Sequence, residues 1–139
     1  MSTEQNKALD RRLVEEGITK GNMAVIEEII DKNVVDHSLA SMGLPDGIAG
    51  VKQLFSMLHS AFPDLNYMIE DVIAEGDKVV TRSTWTGTNR GDFMGMPATN
   101  KQVKVSGIDI TRFAGGKAVE HWATTDMLGL MQQLGAGKQ

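Results

Sequence analysis

Hydrophobic spacing in this chain changes period once, at Pro63, and that change constrains the fold more than any other feature. Before it, apolar residues recur at three- and four-residue intervals; after it, they alternate. Ser2 and Gln5 have the spacing of a capping box for a first helix carrying Leu9, Leu13, Val14 and Ile18. Gly21 and Asn22 end that helix and cap a second over residues 23–31, with Ile26, Ile29 and Ile30 on one face. The chain then runs extended through residues 33–37, and a Gly/Pro loop at 42–47 precedes a third helix. Its face is Ile48, Val51, Phe55, Leu58 and Phe62, and Pro63 stops it.

Beyond Pro63, Leu65, Tyr67 and Ile69 alternate, residues 75–78 turn the chain, and 79–87 return as a second strand. A glycine-rich loop at 89–100 leads to a third strand, 102–113. Gly115 and Gly116 turn it into a fourth, 118–125, and a short helix from Asp126 carries Met127, Leu130, Met131 and Leu134. Helices first and strands second read as α+β. The expected architecture has three N-terminal helices in the concavity of a curved antiparallel sheet, a short C-terminal helix and a cavity between the layers. Residues 1–139 are expected to form a single domain.

Composition narrows the chemistry. With 139 residues and no cysteine, a core can form without staples, and thiol nucleophiles, thiolate metal sites and disulfides drop out. Three scattered histidines argue against a structural zinc site. A net charge of -4 without any Lys/Arg cluster argues against nucleic acid as a partner. The polar N-terminus and the lack of a long apolar run argue against a membrane, so a cytoplasmic protein is expected.

The third and fourth strands carry the most suggestive pair. Asp109 and His121 fall on one sheet face, together with Ala123, while Ile108, Ile110 and Trp122 alternate to the other. A carboxylate facing an imidazole either satisfies two buried polar groups or moves protons. An outer face that stays apolar needs a second cover, which points to a homodimer. Asp126 reads as a helix cap, His59 as a solvated flank and Arg82 as a solvated outer residue. Met94 and Met96 are flexible thioethers suited either to an apolar ligand or to filling gaps, and Trp85 suits a ligand stack or the core.

The segments GTNRGDFMGMPATNKQV (87–103) and GIDITRFAGGKAVEHWATTDMLGLMQQLG (107–135) resemble the SnoaL-like polyketide cyclase family. The likeness extends over nearly the whole chain and implies the cone-shaped NTF2-like fold. It also implies aldol ring closure without cofactor or metal, in which an Asp of the last strand takes a proton alpha to a carbonyl and a His of the preceding strand supports the enolate. With the D-x-L-G motif set on Asp126, those positions are Ala123 and Asp109, and both differ from the family residues. The carboxylate and imidazole have then exchanged strands, with Asp109 orienting His121 as an acid or base near neutral pH. The resemblance also places His37 on a pocket-lining segment. His121 and Asp109 are the expected catalytic pair, with His37, Ala123, Met94, Met96 and Trp85 around a small apolar or aromatic carbonyl ligand. Loss of chemistry with retention of binding, or oxygenation or epoxide opening in the same pocket, are the alternatives.

Overall fold

A computed structural model of the protein describes residues 2–135. Ser2 caps helix α1, Thr3–Arg12, through both halves of the capping box: its hydroxyl accepts from the Gln5 amide at 3.1 Å, and its own amide donates to the Gln5 side chain at 2.9 Å. The helix does not stop there. It continues as a π-helical segment, Leu13–Ile18, closed by the Thr19 amide donating to the Val14 carbonyl at 2.9 Å. Asn22 caps α2, Met23–Ile29, which passes directly into strand β1, Ile30–Asp36. After a 3-10 turn, Ala40–Met42, comes α3, Gly47–Ala61.

The second half is a meander of β2, Asn66–Glu75, β3, Lys78–Thr88, β4, Gln102–Ala114, and β5, Lys117–Thr125. Gly115 and Gly116, at φ 58° and 81°, form the turn between β4 and β5, where left-handed backbone is needed at both positions. Helix α4, Met127–Leu134, closes the chain, and the Asp126 side chain accepts from the Gly129 amide at 2.9 Å, the expected cap.

The sheet order is β1-β5-β4-β3-β2. The meander is antiparallel throughout, but β1 joins its edge in parallel to β5, which corrects the expectation of a wholly antiparallel sheet. Ile30, read as the end of the second helix, is already strand. Irregular register between Ile69 and Asp71, and between Arg112 and Phe113, marks bulges, which bend strands and increase twist.

Two apolar clusters fill the concavity. Ile26, Ile29, Leu39, Val51, Val79 and Phe113 belong to one, Phe62, Trp85, Val105 and Leu130 to the other, and Leu54, Phe55 and Tyr67 pack against both. Phe62 presses so closely on β3 that a Cβ at Gly87 would lie 2.8 Å from the Phe62 Cβ. Among the described residues no helix is long and apolar enough to cross a membrane.

Candidate functional site

Register sets the site. On the inner face, Thr81 of β3 pairs with Asp109 of β4, Asp109 with Ala123 of β5, and Thr111 with His121. The parallel edge strand adds Asp36 opposite His121. The imidazole therefore lies between two carboxylates: Nδ1 is 2.9 Å from Asp36 Oδ2 and Nε2 is 3.1 Å from Asp109 Oδ1. With both partners as carboxylates, both bonds are made at once only when both ring nitrogens carry protons, so this geometry selects the imidazolium.

The electrostatics agree. Burial disfavours the His121 cation, but the hydrogen bonds and negative charges of Asp109 and Asp36 outweigh it and lift the pKa to about 10. The expectation of an imidazole titrating near neutral pH is thus corrected: His121 is a fixed cation at pH 7. Burial raises Asp36 too, yet the bond and charge of His121, with Ser38 donating from its amide at 3.0 Å and its hydroxyl at 2.6 Å, hold it below the usual carboxylate range. Asp36 is the enclosed partner, 7% exposed, whereas Asp109 keeps a third of its side chain accessible.

These groups form one wall of a cavity of about 80 Å³. A void of about 150 Å³ holds benzene. The space is therefore too small to enclose a fused ring system. The other walls are mainly apolar: Leu13 and Val14 from the π-helical segment, Val34 from β1, and Val51, Leu54 and Phe55 from α3.

Two further ionisable groups line this cavity, with Thr81 and Thr111 beside them. Asp10, on the last turn of α1, is 4% exposed and accepts from the Thr81 hydroxyl. Burial above all, and then the charge of Asp109, raise its pKa to about 6 against the lowering effect of Thr81. Tyr67 of β2 also lines it, and burial followed by the Asp109 charge raises the phenol pKa, so it stays an un-ionised donor. Neither Asp10 nor Asp36 stood out in the sequence. The available signal for Asp10 was Asn6, Asp10, Leu13 and Gly17 at spacings of four, three and four, a stripe whose members are all buried.

The remaining expected site residues lie elsewhere. His37 is on the opposite sheet face, stacked on Trp122 with ring centroids 5.0 Å apart and 2.8 Å from Glu120, because it follows the inward-facing Asp36 by one strand position. Ala123 shares the inner face but does not line the cavity. Trp85 is buried in the second apolar cluster, stacked behind Tyr67 at 6.2 Å, and reaches the cavity only through that ring. Met94 and Met96 sit on a loop held over the end of α3, where the Arg90 and Gly91 amides donate to the Ala61 carbonyl, and neither lines the cavity. His59 is not a solvated flank, since its Nε2 is 2.6 Å from the Ile18 carbonyl oxygen. Arg82 is on the outer face, paired with Asp71 at 2.7 Å.

A family model described as SnoaL-like polyketide cyclase matches residues 8–134. Among solved structures, TsrD from Streptomyces laurentii aligns with a TM-score of 0.88 at 27% identity, covering 98% of both chains. AclR from Streptomyces galilaeus, assigned as a hydroxylase, aligns at 0.84 and 30% identity over 96% of this chain and 98% of its own. IdmH from Streptomyces antibioticus, assigned as a polyketide cyclase, aligns at 0.83 and 27% identity over 95% and 99%. No curated protein matches. The curved, open five-stranded sheet with its helices is the NTF2-like fold of these structures.

Proposed function

The chain belongs to the SnoaL-like polyketide cyclase family, and from that premise we propose that it is a cofactor-independent acid–base enzyme acting on a neutral, largely apolar carbonyl compound, with Asp109 as the base. One observation carries this: a carboxylate with a third of its side chain accessible, clamped to a part-buried imidazolium, at the wall of an otherwise mostly apolar cavity. Ala123, at the family's base position, has no atom that accepts a proton. Asp109, its cross-strand partner, supplies the missing carboxylate from the neighbouring strand.

In this reading His121 does not move a proton. Its Nε2–H occupies Asp109 Oδ1 and leaves Oδ2 to face a C–H bond adjacent to the carbonyl. Asp36 on the far side fixes the ring and balances its charge. With Asp36 and Asp109 ionised and His121 protonated, the three groups carry one net negative charge, which disfavours anionic ligands. Proton removal and return at carbon fits isomerisation, or ring closure of a ligand whose remainder projects from the cavity.

The test is exchange of acetone α-protons in D₂O, followed by NMR. Acetone is a carbonyl fragment small enough for the cavity. Enzyme-dependent exchange that disappears in Asp109→Asn is the expected result. Acetone binding without exchange would make the protein a binding module and refute the acid–base reading.

A further inference from the structure

Three carboxyl groups line the cavity, Asp10, Asp36 and Asp109, and of these only Asp10 has no cation bonded to it. Asp109 is bonded to His121. Asp10 comes from α1, across the layer, and its oxygen rests on the hydroxyl of Thr81, the residue directly opposite Asp109 in the β3–β4 pairing. The polar groups that line the cavity with Asp10 are Asp109 and Thr111 from β4, His121 from β5, Thr81 from β3, Tyr67 from β2 and Asp36 from β1; α3 presents only apolar side chains to this cavity. His121 has committed both N–H groups to Asp36 and Asp109. The basic residues of α1 are engaged at the surface, Lys7 with Glu4, Arg11 with Glu15 and Arg12 with Glu16 and Glu28. A carboxyl so enclosed, beside a like charge and without a cation of its own, keeps its proton to higher pH than an ordinary aspartate, up to about pH 6.

We propose that Asp10 and Asp109 work as an acid–base pair holding one proton between them, with the Asp10 carboxyl donating that proton to the carbonyl oxygen of the ligand. The proposal deepens the reading of Asp109 as base and rests on it for turnover, although the Asp10 contact to a bound carbonyl stands independently. The step balances. As Asp109 takes the α-proton, the C–H electron pair becomes the carbon–carbon π bond of the enol. The carbonyl π pair moves onto oxygen and takes the Asp10 proton. Asp109 ends as the acid, Asp10 as the carboxylate, and the net charge of the cavity is unchanged. A site with mostly apolar walls favours that conservation, because no net charge is created where it is poorly solvated. The raised pKa of Asp10 supports its assignment as the acid, since a carboxyl that holds its proton longer is the one that can donate it.

The experiment uses acetone labelled with carbon-13 at the carbonyl, titrated with the protein across the pH range in which Asp10 ionises. The bound-state carbonyl resonance is expected downfield of free acetone at acidic pH, where Asp10 donates to it, and the displacement is expected to diminish as Asp10 loses its proton. In Asp10→Asn the displacement should be smaller and independent of pH. In Asp109→Asn it should persist while its transition moves to lower pH, because a negative neighbour has gone. The same acetone resonance in wild type and Asp10→Asn at every pH, or no bound-state displacement in wild type, overturns the proposal. A pH-dependent displacement without α-proton exchange leaves the Asp10 contact standing and refutes only the base role of Asp109.

Discussion

Replacing Asp10 by Asn should stabilise the protein, and only above the pH at which the carboxyl would ionise. Asn has nearly the same shape and keeps an oxygen for Thr81, so packing changes little. The folded-state pKa is about 6 against an ordinary value of 3.8. Between those values the native state holds a proton that the unfolded chain has lost, so wild-type stability falls as pH rises. The slope is about 1.4 kcal/mol per pH unit, and the span of about two units gives roughly 3 kcal/mol. Below pH 3.8 both states are protonated and the term vanishes; above pH 6 it is present in full. Set against a typical total of about 5–15 kcal/mol, the effect is large. Urea denaturation of both proteins at intervals from pH 4 to 8 would show the difference growing from near zero to about 3 kcal/mol in favour of Asp10→Asn, with m-values unchanged. A difference that stays constant across this range would refute the reasoning.

His121 should show the opposite linkage. Its folded pKa is raised from 6.5 to about 10, so the stabilisation is complete below pH 6.5 and is lost as pH rises through 10, up to about 5 kcal/mol in all; NMR of the ring should find no titration between pH 5 and 8. Removing it in His121→Ala leaves Asp36 and Asp109 without their shared cation, with an expected loss of about 3–5 kcal/mol by thermal or urea denaturation. Asp109→Asn should slow α-proton exchange by about 10²- to 10⁴-fold in the NMR assay. Gly50→Ala reverses the usual helix gain of about 1 kcal/mol: the new Cβ would overlap the Pro45 carbonyl oxygen and lie 2.9 Å from Leu39, and a lowered melting temperature is expected. We propose a homodimer through the outer sheet face, where Met68, Ile73 and Ile108 are exposed; Ile108→Glu should shift a dimer to monomer in sedimentation.

The elements governed by local chemistry were legible in the sequence. The Ser2 box, the Asn22 and Asp126 caps, the Gly115-Gly116 turn and the alternation that sets Asp109 beside His121 all depend on neighbours within a few residues or across one hairpin. Strand β1 was legible only as an extended run from Asn33; its pairing was not, because it finds its partner at the other end of the chain, nor was its start, because Asp31 and Lys32 carry no strand pattern of their own. Asp10 was hidden for a different reason. A buried carboxyl on a helix breaks the apolar stripe, and the eye assigns the stripe to Leu9, which is only half-buried, one position away. The sequence places one carboxylate beside His121, whereas the fold supplies two, and the second comes from the distant strand β1.

The bond between His121 and Asp36 joins residues 85 positions apart, and β1 has no strand neighbour other than β5. Strands β2 to β5 assemble through successive connections, whereas β1 must close a loop spanning most of the chain before it gains a single ladder bond. A folding chain therefore completes its meander first and its charge clamp late. Until β1 docks, His121 has one carboxylate and the cavity lacks the wall that Val34 provides. Amide exchange along β1 consequently measures how often the site comes apart in the native protein, and reactivity becomes a report on whether the two ends of the fold have met.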